Sequence, residues 1–314
     1  MYRNGENLRL ALPKGRMQEG VLGLLAAAGM SVRAGERDYR PRLGGRYPGG
    51  GADRSAGGER GEADWSRGID LKMLKPQNIV EMLRAGSRDA GFAGADWVAE
   101  LDPAPGGSLV EVLDTGLDPV RLVAAAPESL LSGGRLPDRS LVVASEYENL
   151  AAAWIRSRGL DATVLRSYGA TEVFPPEDAD CVVDNSSSGA TLRANGLCVV
   201  DVIMDSTTRL YANPEAMDDP GRRARIEWLA MLCRSVLEAR DRVMLEVNVD
   251  ADRLDALIRL LPALKEPTVS RLMGDCGYAV KVATPRSSLP SLIPAIRSGG
   301  GSGIVITEPS QIVV

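Results

Sequence analysis

Residues 180–197 read DCVVDNSSSGATLRANGL. Cys181, Val182 and Val183 form a short apolar run of strand type that ends at Asp184, and Thr191 opens TLRANGL, which reads as a helix start. Between them lies a loop of Asn185, three serines and Gly189. Strand, small-residue loop and helix start together make a phosphate cradle. Backbone N–H groups converge, hydroxyls donate, and a glycine lets an anion approach with no Cβ in its way. Ser186, Ser187, Ser188 and Thr191 supply hydroxyls, and Asp184 is placed to orient sugar hydroxyls or hold Mg²⁺. An ordinary turn with a serine or threonine helix cap uses the same residue types.

The strand–helix alternation extends on both sides of this stretch. Residues 8–12 read as a strand, followed by the loop Pro13, Lys14, Gly15, Arg16 and a helix over 17–28 that Gly29 stops. The pattern resumes at 71 with LKMLKPQNIVEMLRAG and DAGFAGADWVAE. Further strands are expected at 109–113, 120–126, 141–144 (leading into a helix through Trp154), 162–165 and 181–183. This order predicts an α/β protein with a mostly parallel sheet, arranged as two lobes with a sheet in each. Ligands of open α/β sheets bind beyond the carboxyl ends of strands, which makes Lys14 and Arg16 candidate anion contacts. Residues 44–68 hold nine glycines and no Leu, Ile, Val, Met or Phe, so they read as a flexible surface insertion. Residues 222–240 form an amphipathic helix with Ile226, Leu229, Leu232, Cys233, Val236 and Leu237 on one face. Beyond it the pattern is strand, helix, strand, strand, helix, strand, the βαββαβ order of a ferredoxin-like unit.

Composition narrows the chemistry. The chain has 314 residues, 44% hydrophobic and 25% charged, with a formal charge of −5. No basic domain or stripe marks a nucleic-acid binder, and no run approaches the roughly 18 apolar residues of a membrane span. The N-terminal stretch lacks an apolar signal core, so a cytoplasmic protein is expected. Cys181, Cys198, Cys233 and Cys276 form no CxxC pair and read as reduced thiols. There is no histidine at all. Imidazole bases, Ser–His pairs and histidine-ligated metals are therefore excluded, and any catalysis falls to carboxylates, lysine, hydroxyls, backbone N–H groups or the substrates' own atoms.

Several stretches together resemble one family. LRLALPKGRM, DAGFAGADWVAE, GATEVFPPEDADCVVDNSSSGATLRANGL and STTRLYANP stand in the order seen in ATP phosphoribosyltransferases, which open histidine biosynthesis. LPALKEPTVSRL, YAVKVAT and GGGSGIVI resemble the regulatory domain of that family's long form. The resemblance implies a two-lobed, periplasmic-binding-protein-like catalytic part and a C-terminal ferredoxin-like regulatory domain. The expected division is a first lobe of residues 1–95 with 185–221, a second lobe of 96–184, a linker helix at 222–242 and a regulatory domain at 243–314. It also implies a reaction in which the adenine N1 of ATP displaces pyrophosphate from phosphoribosyl pyrophosphate, with Mg²⁺ accompanying the pyrophosphate. No protein nucleophile is needed, so a histidine-free chain is compatible with it.

By similarity, Ser187, Ser188, Gly189, Ala190, Thr191 and Leu192 hold the 5′-phosphate. Asp184 and Glu172 lie near the ribose hydroxyls and the metal. Lys14, Gly15 and Arg16 face pyrophosphate or ATP, and Arg37, Lys75 and Asp96 are walls of the cleft. Asn248, Thr268 and Ser270 lie near a site for inhibitory histidine, and a dimer–hexamer equilibrium is implied. This chain departs from the family at three places. In the loop, Asn185 and Ser186 replace a hydrophobic pair and Ser187-Ser188-Gly189 replaces Ser-Thr-Gly, Ser188 keeping the hydroxyl and losing a methyl; Lys75-Pro76-Gln77-Asn78 replaces Arg-Pro-x-Asp, and Ser145-Glu146-Tyr147-Glu148 adds acids. The other readings are a related phosphoribosyltransferase with another acceptor, and a non-catalytic two-lobed small-molecule-binding protein.

Overall fold

The computed structural model describes residues 7–33, 39–44, 68–103, 107–262, 266–274 and 277–313. Arg37, Cys276 and residues 45–67 of the expected insertion lie outside the described residues. The chain forms two compact units, Met1–Ala230 and Met231–Val314.

The first unit begins with β1 (Leu8–Pro13), in which Leu8, Leu10, Ala11 and Leu12 are all buried, as expected of a strand covered on both faces. Helix α1 (Met17–Ala27) buries the stripe Met17, Val21, Leu24 and Leu25. It stops at Gly29, whose φ of +85° lets the Met30 N–H return to the Leu25 carbonyl at 2.7 Å. Strands β2 (Ser31–Arg33) and β3 (Arg42–Gly44) make a small antiparallel ribbon. Then follow β4 (Ile69–Leu74), α2 (Pro76–Arg84), the wholly buried β5 (Ala90–Gly94) and α3 (Ala95–Leu101). Gly91 in β5 admits α2 closely, since a Cβ there would lie 2.7 Å from Ile79 Cγ2.

The chain continues through β6 (Val110–Pro127), β7 (Leu141–Ser145), α4 (Glu148–Arg158) and β8 (Ala162–Arg166). Next come β9 (Cys181–Ser186), α5 (Ala190–Ala194), β10 (Leu197–Ala212) and α6 (Pro214–Asp218), and then α7 (Pro220–Arg240). The strand order is β4-β1-β5-β10-β6-β9-β7-β8. The two-lobed α/β plan is present, but the strands do not form two separate sheets. β6 and β10 are long enough to serve both halves, so hydrogen bonding is continuous across all eight strands. The sheet is mixed: β1 and β7 pair in parallel with both neighbours, which gives four parallel pairings, and the three pairings that β10 and β6 make in the middle are antiparallel. The two strands expected at 109–113 and 120–126 are one interrupted strand. Asn185 and Ser186, expected with the first lobe, pair with Leu122 and Arg121 of β6, beside β7 and β8.

Side chains alternate cleanly through the middle of this sheet. Leu122, Ala124, Val143, Cys181 and Val183 join a core with α2, α3 and α4, while Val123, Ala125, Ala144 and Val182 join a second core with Leu192 of α5. The alternation therefore sends Asp184 and Asn185 to opposite faces of β9.

Helix α7 runs from Pro220 to Arg240, two residues earlier at each end than the expected 222–242 linker, and it buries Ile226, Leu229, Cys233 and Val236. Its C-terminal half belongs to the second unit. That unit then holds β11 (Arg242–Val249), α8 (Leu254–Leu260), β12 (Thr268–Arg271), β13 (Tyr278–Pro285), α9 (Leu289–Ser298) and β14 (Ser302–Thr307). The order β12-β13-β11-β14, antiparallel throughout, is the ferredoxin-like sheet. Leu245, Val247, Val249, Val280 and Val282 pack with Leu257, Leu292 and Ile296 of the two helices. Among the described residues, no helix is long and apolar enough to cross a membrane.

Candidate functional site

Strand β9 carries the quoted stretch to the edge of a cavity of about 360 Å³. Ser187, Ser188, Gly189, Ala190, Thr191 and Leu192 form one wall. Ser187, Ser188 and Thr191 are exposed there, and Leu192 is buried as the hydrophobic foot of the loop. Gly189 sits at φ +72°, the left-handed region, where a Cβ would also meet Arg193 Nη1 at 2.9 Å. Ser188 Oγ accepts the Ala190 N–H at 3.3 Å, which tightens the turn. Helix α5 has only five residues, so the anion-binding capacity rests on loop N–H groups and hydroxyls more than on a helix dipole.

Asp184 and Glu172 line the same cavity, as do Arg16 and Glu146. Asp184 receives the Asn185 backbone N–H at Oδ1, 2.7 Å away. Burial pushes its carboxyl up to about 7, and the charges of Glu172, Glu146 and Asp96 add to the rise against that one hydrogen bond. Arg16 is the one cation of the wall among the described residues, and its Nη1 donates to the Asp118 carbonyl at 3.0 Å. Opposite, Gly169 and Ala170 turn the chain with positive φ, 104° and 49°. Thr171 is held there by a 2.7 Å contact between its hydroxyl and that of Ser167.

The remaining expected residues are placed differently. Lys14 does not line the cavity; its Nζ lies 3.5 Å over the Tyr39 ring. Gly15 provides a turn at φ +83° beside Arg16. Lys75 lines a second cavity of about 530 Å³, which shares Glu146 with the first. Asp96 lines neither cavity: it is 2% exposed and accepts from the Tyr147 hydroxyl at 2.7 Å and the Ser206 hydroxyl at 2.8 Å. In the second unit, Asn248 and Ser270 both pair with Ala279, and Thr268 pairs with Lys281, two residues along the same strand. Strand alternation therefore puts Asn248, Thr268 and Ser270 on one face, opposite the helices.

Tyr147 and Glu146 take part without having been singled out from the sequence as site residues. They sit in the β7–α4 turn, which Glu100 of α3 fixes by accepting the N–H groups of Asn149 and Leu150, both at 2.9 Å. Burial raises the Glu100 carboxyl despite those bonds. Among the described residues, no three carboxylates or cysteines converge closely enough to hold a metal on protein ligands alone. Asp184 and Glu172 facing one polar cavity do fit Mg²⁺, which commonly takes one or two carboxylates and completes its shell with water and substrate phosphates.

Comparison with known proteins follows the same division. Residues 75–234 match the HisG family model, ATP phosphoribosyltransferase, and residues 239–310 match the HisG C-terminal domain. The ATP phosphoribosyltransferase of Pelotomaculum thermopropionicum is 33% identical, over 98% of this chain and 99% of its own length. That of Chlorobium luteolum is 31% identical over the whole of both chains. An ATP phosphoribosyl transferase (HisG:HisZ) complex from Thermotoga maritima shares the fold, with a TM-score of 0.57 and 23% identity, over 74% of this chain and 98% of that one. The chain therefore belongs to the ATP phosphoribosyltransferase family, as a long-form member with the C-terminal domain, and is an enzyme of the phosphoribosyltransferase type.

Proposed function

We propose that this enzyme joins ATP and phosphoribosyl pyrophosphate in the cavity beside β9. The adenine N1 lone pair forms a bond to the ribose C1 carbon while the C1–O bond to pyrophosphate breaks, with inversion. The products are phosphoribosyl-ATP and pyrophosphate. One observation carries the placement: the Ser187–Leu192 wall and the Asp184 carboxyl, which has carboxylates for neighbours, open onto the same small polar cavity. The loop takes the 5′-phosphate through hydroxyls and N–H groups. Asp184 and Glu172 face the ribose hydroxyls and would hold Mg²⁺. Arg16 lies on the pyrophosphate side, with Gly15 shaping its turn. Bound Mg²⁺ would supply positive charge to the leaving pyrophosphate. The acids around Asp184 would repel a bare phosphate ester, and they suit one that arrives with a divalent cation.

The second cavity, with Lys75 on its wall and the largely buried Trp97 at its edge, suits the nucleotide acceptor. Lys14 is assigned to the ATP side in this reading, and Asp96 supports the wall from behind. The open face carrying Asn248, Thr268 and Ser270 is where feedback-inhibiting histidine would bind. A homo-oligomer, dimer or hexamer, and a cytoplasmic setting complete the proposal.

The test is an ultraviolet absorbance assay for phosphoribosyl-ATP with ATP, phosphoribosyl pyrophosphate, Mg²⁺ and pyrophosphatase, run with and without L-histidine. Product that histidine suppresses supports both catalytic and regulatory assignments. Product indifferent to histidine removes the regulatory one. No product, with phosphoribosyl pyrophosphate still bound, moves the acceptor to another nucleobase-like compound. The Gln77 Oε1 oxygen, buried beside the second cavity with no partner among the described residues, is an acceptor that ATP or such a compound would have to satisfy.

A further inference from the structure

Asn185 follows Asp184 in β9 but faces the other side of the sheet. Its Nδ2 donates to the Tyr147 hydroxyl oxygen at 2.8 Å. The Tyr147 hydroxyl donates in turn to Asp96 Oδ2 at 2.7 Å. Asp96 Oδ1 accepts from Ser206 Oγ at 2.8 Å, and Ser206 Oγ accepts the Asp96 N–H at 3.0 Å. Tyr147 is fully buried and stacks on Trp97 with ring centroids 4.4 Å apart, so water has no access to replace a lost partner. The same turn grips β9 a second time: Ser145 Oγ donates to the Val183 carbonyl at 2.7 Å and accepts the Tyr147 N–H at 2.9 Å. Strand β9 is thus held on both sides of Asp184. The Asn185 peptide whose side chain is pinned is also the one that donates to Asp184 Oδ1.

We propose that Tyr147 and Asn185 are positioning residues for the phosphoribosyl site, fixing Asp184 and the Ser187–Leu192 loop through a buried chain anchored on Asp96 and Ser206. This rests on the reading of that cavity as the phosphoribosyl site. Asn185 also borders the cavity, but its amide is engaged by Tyr147, so in this proposal both side chains position the site rather than bind the phosphoribosyl group. Both act through the direction in which β9 delivers its last residues, where an error of about 1 Å can cost a hundredfold in rate.

Tyr147→Phe keeps the stacked ring and removes only the hydroxyl; Asn185→Ala removes the donor without touching the tyrosine. The expected result for each is a fall of at least about tenfold in kcat/KM for phosphoribosyl pyrophosphate, with the KM for ATP within about twofold. The double variant should be no worse than the weaker of the two single variants, because both cut one chain. A lowered melting temperature with kcat and both KM values unchanged would overturn the proposal and leave a structural role. Independent, multiplicative losses would overturn it too. A Ser188→Ala, Thr191→Ala double variant is measured alongside. If it turns over normally, the phosphoribosyl reading of the cavity fails. If it is inactive while Tyr147→Phe and Asn185→Ala behave as wild type, only the positioning role fails.

Discussion

Two carboxylates in the same sheet unit have opposite surroundings. Asp89, just before β5, is 1% exposed and saturated with cationic donors. It accepts the Arg9 N–H at 2.7 Å, Arg9 Nε at 3.0 Å and Arg9 Nη2 at 2.6 Å, with Arg222 Nη1 at 3.4 Å. Asp184, at the end of β9, has one backbone N–H and the charges of Glu172, Glu146 and Asp96 for company. Asp89 ties β1 to α7 and has no capacity left for a ligand. Asp184 bears a cost when ionised that a cationic ligand would relieve. A buried acid whose partners are complete is a structural part; one facing a polar cavity among other acids is a binding part.

Replacing each acid should give effects of opposite sign on stability. Asp89→Asn is expected to destabilise the protein by about 2–4 kcal/mol in denaturant unfolding, because two guanidinium groups lose their counter-charge. Turnover per folded molecule should stay within about twofold. Asp184→Asn should do the reverse. A carboxyl whose pKa is higher folded than unfolded favours the fold at low pH, and that contribution is lost as pH rises toward about 7. At pH 8, without Mg²⁺, the amide should therefore gain roughly 1–3 kcal/mol over wild type; near pH 4 the two should match. Turnover should fall at least about a hundredfold in the same variant. Equal pH profiles for the two proteins would show that Asp184 is not held in an unfavourable field.

The smallest effect concerns the cysteines, and it checks how tightly β9 is closed three residues before Asp184. Burial pushes the Cys181 and Cys233 thiols up to about 12, whereas Cys198 is exposed. Iodoacetamide at pH 8, followed by peptide mass spectrometry, should label Cys198 quickly and the other two only on unfolding. Rapid labelling of Cys181 would mean that β9 opens readily, and the comparison with Asp89 would lose its footing.

The ferredoxin-like unit was legible element by element, because Leu245, Val247 and Val249 alternate with Glu246 and Asn248 and each helix carries a single apolar stripe. The long β10 was not. Its sequence is polar through Asp201, Asp205, Ser206, Thr207 and Thr208, and repeated register shifts against β6 break the period-two pattern. β6 was read as two strands because DTGLDP, residues 114–119, carries turn residues inside a strand. At the site, the loop from Ser187 to Leu192 announced itself through residue type, and Asp184 through its place at a strand end. Tyr147 could not be found that way. Its partners Asp96 and Asn185 lie 51 and 38 residues away; the parallel pairing of β7 with β9 brings Asn185 to it, and Asp96 comes from the first turn of α3. Lys14 stands after β1 as an anion contact would, and the aromatic ring beneath its ammonium group, from Tyr39, was not legible from the sequence.

The most direct measurement is calorimetric titration of phosphoribosyl pyrophosphate, with Mg²⁺, into wild type and into the Ser188→Ala, Thr191→Ala variant. Both residues are exposed, so the variant should melt within a few degrees of wild type. Two hydrogen bonds to a charged phosphate contribute about 1.5–3 kcal/mol each, so its affinity should fall roughly a hundredfold or more. Equal affinity in the two proteins would place the phosphoribosyl group elsewhere and contradict the assignment of the β9 cavity.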